Sequence, residues 1–100
     1  MNKTAKEYAK FVYDNLSKAK LSNSLNIAVE IQNNYTFEDF TRNLVEVCNE
    51  EAVQSSQKSA NFVKVIKKYQ DLFHSDFNYN PEMITEVFIL ELCKISRETK

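Results

Sequence analysis

Glycine is absent from the 100 residues of this chain, tryptophan is absent as well, and Pro81 is the single proline. Glycine supplies the left-handed turn positions of phosphate-binding loops and of the G-x-S-x-G elbow that carries a nucleophilic serine. Its absence excludes both kinds of site. We therefore expect function to lie on helix faces and on the short Asn- and Ser-rich segments that join them.

Reactive side chains are also scarce. His74 is the single histidine, whereas protein metal sites generally need three or four ligands. Cys48 and Cys93 lie far apart among apolar neighbours, which is typical of reduced thiols in a core. Carboxylates cluster between positions 46 and 51, but the sequence around them offers no apolar pocket that would raise a carboxyl pKa. We expect a protein that is not an enzyme and that has no metal and no cofactor.

Charge and hydropathy narrow the class further. Thirteen Lys and Arg against fourteen Asp and Glu give a net charge of −1, which disfavours an indiscriminate nucleic-acid binder. The longest apolar run, residues 87–90, is far shorter than the ~20 residues that span a bilayer. Residues 1–14 lack the continuous apolar stretch of a secretory signal. We expect a cytoplasmic protein without membrane contact.

Apolar residues recur at spacings of three and four along most of the chain, a pattern that predicts an all-α fold. With 43% hydrophobic residues, we expect residues 1–100 to form a single compact bundle of about five helices. The predicted helices span residues 4–19, 25–33, 36–53, 60–73 and 81–97. One long helix over residues 36–73 is the alternative to a break within the serine-rich stretch 55–59.

Two of these helices have clear start signals. The Thr36 hydroxyl can accept a hydrogen bond from the backbone of Asp39, three residues further on. Asn80, Pro81 and Glu82 combine a capping side chain, a proline at the first helical position and an acid in the first turn. Both patterns predict helices that begin at these residues.

The apolar faces of two helices carry further expectations. In the helix at 25–33, we expect Leu25, Ala28 and Val29 to face the core. The last helix, 81–97, is apolar over most of its circumference. It is therefore either the central helix of the bundle or half of an interface between molecules.

Basic residues are unevenly placed along the chain. Lys58, Lys64, Lys67 and Lys68 cluster on the fourth predicted helix, whereas acids concentrate over residues 38–51. Such a separation can steer an acidic partner or a phosphate backbone to one side of the molecule. The alternative is that both segments are solvated helix faces.

Four aromatic residues fall outside the predicted apolar stripes: Tyr13, Tyr35, Phe77 and Tyr79. Phe77 and Tyr79 lie in residues 74–80, the longest segment without a helical pattern. Exposed aromatic residues on loops often anchor protein interfaces, and they can equally seal the end of a bundle. Both interpretations remain open for these residues.

Three short stretches between residues 35 and 81 resemble a known family. The stretches are YTFEDF at 35–40 with Cys48 and Asn49 after it, FVKVIKKYQDL at 62–72, and SDFNYNP at 75–81. They are similar to the first two helices and the following turn of immunity proteins against colicin E-type nucleases. Charged first helices such as residues 2–16 are also found in bacteriocin immunity proteins of Gram-positive bacteria.

The resemblance implies a small cytosolic helical bundle that binds a toxin's nuclease domain and blocks it. It also implies that Asp76 and Tyr79 contact the partner protein, and the neighbouring Phe77 joins them as a predicted protein-binding residue. We expect affinity to come from a few buried aromatic anchors inside a polar rim.

We therefore favour a non-enzymatic, macromolecule-binding helical module of bacterial or phage origin, an inhibitor or immunity-type protein that acts on a partner protein. One alternative is a small helical subunit of a nucleoprotein complex, or a phage-encoded inhibitor of one, in which Lys58, Lys64, Lys67 and Lys68 dock nucleic acid. A second alternative is a structural protein that self-associates into a homo-oligomer through its last helix.

Overall fold

A computed structural model of the chain describes residues 3–18, 20–52, 56–73 and 80–98. Within these ranges the regular structure is entirely helical, which confirms the predicted all-α bundle of five helices. The elements are α1 (Ala5–Asn15), a 3-10 turn (Leu16–Lys18), α2 (Leu21–Asn34), α3 (Phe37–Glu51), α4 (Ser56–Phe73) and α5 (Pro81–Glu98). The radius of gyration, 12.6 Å, matches the ~13 Å of a compact domain of this length.

The two predicted start signals are confirmed. The Thr36 hydroxyl accepts a hydrogen bond from the backbone N–H of Asp39 at 3.1 Å, and α3 begins directly after it. The Asn80 side-chain oxygen accepts from the backbone N–H of Glu82 at 2.9 Å, and α5 begins at Pro81. Each cap satisfies a backbone donor that the helix itself leaves unpaired.

The first helix is shorter than its apolar pattern predicts. Thr4 and Glu7 form a reciprocal capping box at its start, in which each side chain accepts from the other residue's backbone N–H. The α-helix ends at Asn15, and the chain continues as the 3-10 turn, whose first residue Leu16 is fully buried. Ala19, where the predicted helix ends, lies outside the described residues.

The second helix departs most from expectation. It begins at Leu21, four residues before the predicted start at Leu25. The prediction that Leu25 and Val29 face the core is wrong, because these side chains are 36% and 48% exposed. The buried face instead contains Ser24, Ile27, Ala28 and Ile31. A serine fits there because the Ser24 hydroxyl donates to the backbone oxygen of Lys20 at 3.1 Å.

Residues 36–73 contain two separate helices, α3 and α4, that pack against each other. The Phe37 ring at the start of α3 stacks on the Phe73 ring at the end of α4, with centroids 4.6 Å apart. In the same half of the pair, the Gln70 amide donates to the Thr41 hydroxyl at 3.0 Å. The two helices therefore run antiparallel. The break lies earlier than predicted, because residues 56–59 of the serine-rich stretch already belong to α4, whereas α3 ends at Glu51. Residues 53–55 lie outside the described residues.

The packing order places α5 at the centre of the fold. It contacts α2, α4 and the 3-10 turn, while α3 packs between α1 and α4. Phe88 of α5 is fully buried, and its ring lies 5.3 Å from that of Phe37 and 5.4 Å from that of Tyr69. The other large, fully buried side chains are Val12, Leu16, Ile31, Phe40, Thr41, Leu44, Val47, Phe62, Ile66, Ile89 and Leu92.

We expect Phe88→Ala to lower the free energy of unfolding by about 3–5 kcal/mol, because the truncation leaves a cavity among three packed helices. Phe11→Ala is the matched control, since the Phe11 side chain is 38% exposed and its loss should cost about 1 kcal/mol or less. Urea denaturation followed by circular dichroism measures both values. Equal losses for the two variants would contradict this description of the core.

Candidate functional site

The protein-binding residues predicted from the resemblance, Asp76, Phe77 and Tyr79, lie in residues 74–79, outside the described residues. The segment is bounded by Phe73, whose ring packs on α3, and by Asn80, which caps α5. The assignment of these three residues stays a prediction.

The structure separates Lys58 from the other lysines of the predicted basic cluster. Its ammonium group donates to the backbone oxygen of Tyr13 at 2.9 Å and lies 4.1 Å from the centroid of the Tyr13 ring. The Phe62 ring centroid is 5.6 Å away. Burial of this half-exposed side chain lowers its pKa. Lys58 therefore contributes to packing between α1 and α4.

Three lysines of the cluster do share the outer face of α4. Lys64 and Lys67 are exposed, and so is Lys68, whose ammonium group lies 3.4 Å from a carboxylate oxygen of Glu91 on α5. That ion pair offsets part of the positive charge. The basic face is consequently smaller than the four-lysine patch that the sequence predicts.

Lysines of α1 pair with carboxylates of the acidic segment 38–51 in the folded chain. Lys6 pairs with Glu50 at 2.7 Å and approaches Glu46 at 4.0 Å, and Lys10 pairs with Glu51 at 2.6 Å. These pairs join α1 to α3. The carboxylates clustered between positions 46 and 51 thus neutralise lysines at the protein surface, where such ion pairs contribute little to stability.

Two of the unexplained aromatic residues have structural partners. The Tyr13 ring is buried, and its hydroxyl lies 2.8 Å from the Ser59 hydroxyl, which links α1 to α4. The half-buried Tyr35 ring stacks on Tyr8 with centroids 5.4 Å apart, and its hydroxyl donates to the backbone oxygen of Lys3. Tyr35 therefore joins the end of α2 to the start of α1.

The two cysteines are buried and free of disulfide bonding, as the sequence predicts. Burial raises the pKa of the Cys48 thiol to about 12. The Cys93 thiol donates to the backbone oxygen of Leu16 at 3.3 Å. Both thiols thus pack as small core side chains.

The described ranges contain neither a cluster of metal ligands nor a membrane-spanning helix. Among those residues, no three His, Cys, Asp or Glu side chains stand close enough to hold a metal ion together. Within the same ranges, none of the helices combines the length and apolar character needed to cross a bilayer.

An open cleft of about 550 Å³ lies between α1 and α2. It exists because α1 packs mainly on α3 and α2 mainly on α5, so the two helices that follow each other in sequence make few direct contacts. The volume falls within the range of ligand-binding clefts in proteins. Its lining residues are Lys3, Tyr8, Phe11, Asn15, Lys18, Asn23, Asn26, Ile27, Glu30 and Tyr35.

One side of the cleft is aromatic. Tyr8 stacks on Phe11 at 5.7 Å and on Tyr35 at 5.4 Å between ring centroids, so three rings form a continuous wall. Burial, with a further contribution from Glu30, raises the pKa of Tyr8 to about 12, which keeps its hydroxyl protonated at neutral pH. The Lys3 ammonium lies 4.8 Å from the Phe11 centroid and bounds this wall at one end.

The other side of the cleft is polar. Asn23, Asn26 and Glu30 follow each other on α2 at spacings of three and four, which places them along one helix face. From α1, the Asn15 amide N–H₂ donates to the backbone oxygen of Phe11 at 2.7 Å. The sequence analysis did not predict this site. The usable signals were the stripe of Asn23, Asn26 and Glu30, and the position of Phe11 outside the apolar face of the first helix.

We expect neither Cys48 nor Cys93 to react with Ellman's reagent in the native protein at about pH 8, and both to react in denaturant. Burial excludes the reagent, and the raised pKa of Cys48 keeps its thiol protonated until the solution pH approaches about 12. Absorbance at the thiolate product's wavelength measures the reaction. Rapid labelling under native conditions would show that the thiols are accessible, contrary to the structure.

Comparison of the chain with protein-family models, with curated proteins and with solved structures finds no match. The resemblance to nuclease immunity proteins thus depends on short sequence motifs alone and stays a prediction.

Proposed function

We propose that this chain is a non-enzymatic, macromolecule-binding helical module that binds an extended segment of a partner protein in the cleft between α1 and α2. The two sides of one open cleft support this proposal most strongly. The stacked rings of Tyr8, Phe11 and Tyr35 form one side, and a stripe that carries side-chain amides forms the other.

The aromatic wall suits an apolar side chain of the partner. Phe11 is 38% exposed, so part of its ring is available for contact, and Ile27 adds aliphatic surface to the cleft. Burial of one large apolar side chain contributes about 1.5–3 kcal/mol to association before ordering costs. Aromatic residues are also the commonest energetic anchors of protein interfaces.

The amide stripe suits the backbone of an extended segment. The Asn26 side chain can both donate and accept, and so complements the N–H and C=O groups that an extended peptide exposes. The Asn23 amide N–H₂ can donate as well, while its oxygen accepts from the backbone N–H of Lys20 at 3.4 Å. Seven residues separate Asn23 from Glu30, a rise of about 10 Å along the helix, which equals the length of about three extended residues. Asn26 lies between them and is exposed.

Charges along the cleft indicate which segment fits. The Lys3 ammonium group lies beside the Phe11 ring and Lys18 follows α1, whereas Glu30 lies on the α2 side. This arrangement favours a segment with an apolar residue in its middle and carboxylates beside it. The proposed partner is therefore a protein with an exposed, extended segment of acidic and apolar character.

An inhibitory role of the immunity type is part of the proposal and is supported by the resemblance of residues 35–81 alone. In that role, occupancy of the cleft would hold a segment that the partner needs for its own activity. Asp76, Phe77 and Tyr79 would supply a second contact with the same partner.

Selection from a library of displayed random peptides tests the proposal. We expect the selected peptides to contain an apolar residue flanked by Asp or Glu. Phe11→Ala and Asn26→Ala should each weaken binding by about 5-fold or more, since each removes a direct contact of about 1 kcal/mol or more. Fluorescence anisotropy with a labelled selected peptide measures the affinities.

Asn49→Ala on the exposed surface of α3 is the matched control for Asn26→Ala, and it should leave the affinity unchanged. Peptides whose binding is insensitive to both cleft variants would contradict the proposed site. Binding of an oligonucleotide that is lost in Lys64→Ala and Lys67→Ala, and that falls steeply between about 50 and 200 mM salt, would support the nucleoprotein alternative instead.

A further inference from the structure

The outer face of α5 carries an exposed apolar stripe. Met83 and Val87 are 61% and 45% exposed, and half-buried Leu90 continues the stripe toward Lys94. The spacings are four, three and four, the pattern with which one helix packs against another in a coiled coil. Within the described residues, the stripe points away from the helices that pack on α5, since its buried face carries Ile84, Phe88, Ile89 and Leu92.

Two cross-contacts define how α2 lies beside α5. The Ser24 hydroxyl at the start of α2 is 3.6 Å from the thiol sulfur of Cys93, near the end of α5. The Gln32 amide, near the end of α2, lies 3.5 Å from the backbone oxygen of Glu82 at the start of α5. The two helices are therefore antiparallel and in a fixed register.

This register extends the apolar stripe onto α2. When residues of both helices are counted from these two cross-contacts toward the middle of the pair, Val29 lies at the level of Val87 and Leu25 at the level of Leu90. Leu25 and Val29 are the residues that the sequence places in the core and that the structure exposes. We call the four exposed apolar residues Leu25, Val29, Met83 and Val87, together with half-buried Leu90, the α2/α5 face.

Charge is distributed asymmetrically along the α2/α5 face. Glu82 and Glu86 lie at the end formed by the start of α5. Lys94 lies at the opposite end, with Arg97 and the acidic Glu98 about one turn beyond it, so that end keeps a net positive charge. A rotation of 180° about an axis through the middle of the face brings the acidic end of one copy over the basic end of another. The face is thus complementary to itself, as a twofold interface requires.

We propose that two copies of this chain pair through the α2/α5 face, with their α5 helices antiparallel about a twofold axis that passes between Val87 and Leu90. In this arrangement Val87 of each copy packs against Leu90 of the other, and the Glu86 carboxylate lies within reach of Lys94 of the other copy. A parallel arrangement would instead place Glu86 beside Glu86 and Lys94 beside Lys94, where like charges repel.

The pairing is compatible with an open cleft in each copy. Asn23, Asn26 and Glu30 lie on the α2 side that faces α1, whereas Leu25 and Val29 lie on the side that faces α5. A dimer would present two clefts, so a partner with two suitable segments would be bound with increased avidity. The pairing itself does not depend on the proposed function.

Sedimentation velocity over a concentration series tests the pairing. Since the apolar stripe is short, we expect a reversible dimer with a dissociation constant of about 10–100 μM, at the weak end of specific interfaces. Glu86→Lys alone and Lys94→Glu alone should each weaken pairing by about tenfold or more, because each homodimer then contains two repulsive pairs.

The decisive experiment is an equimolar mixture of two single variants, Glu86→Lys and Lys94→Glu. In an antiparallel heterodimer both charge contacts become attractive again, so the mixture should recover the dissociation constant of the native chain. Asp71→Lys on the exposed surface of α4 makes the same change of charge outside the face and should pair normally. Circular dichroism verifies that each variant is folded.

A native chain that remains monomeric at about 500 μM would overturn the proposal, since a dissociation constant of about 10–100 μM makes most of the chain dimeric at that concentration. It would also be overturned by single variants that pair as tightly as the native chain. A mixture that stays monomeric while the native chain dimerises would exclude the antiparallel arrangement.

Discussion

Burial of one face of α5 is the interaction on which the rest of the structure depends. Phe88, Ile89 and Leu92 are fully buried, and their helix contacts α2, α4 and the 3-10 turn that ends α1. Contact of Phe88 with Phe37 and Tyr69 couples α5 to the α3–α4 pair as well. Because α2 makes only limited contact with α3, the orientation of α2 is set mainly by α5.

Both candidate surfaces follow from that dependence. With α2 packed on α5 and α1 packed on α3, a gap remains between α1 and α2, and the Tyr35 contacts with Tyr8 and Lys3 close one end of it. The same packing leaves the outer sides of α2 and α5 exposed next to each other. In this chain without glycine both candidate surfaces lie on helix faces, and the described residues contain no positive φ angle.

Local features of the fold were predictable from sequence, whereas the candidate site was not. The caps at Thr36 and Asn80 act within a few residues, so their chemistry is visible in the sequence. The buried face of α2 was predicted wrongly because Ser24 is satisfied by the backbone of Lys20, which lets a polar residue replace Leu25 in the core. The cleft arises because α1 packs on α3 and α2 packs on α5. These contacts join residues that are far apart in the sequence, so local sequence patterns do not predict them. Lys58 shows the same limit, since its ammonium group lies over rings from two helices that are far apart in the sequence.

The central claim is that the cleft between α1 and α2 is where this chain contacts a partner protein. The most direct test is a two-dimensional ¹H–¹⁵N correlation spectrum of the labelled chain, titrated with a peptide selected for binding. We expect the largest chemical-shift changes at residues of the cleft, above all at Phe11, Asn26 and Tyr35. Changes confined to the outer face of α4, around Lys64 and Lys67, with an unchanged cleft would contradict it.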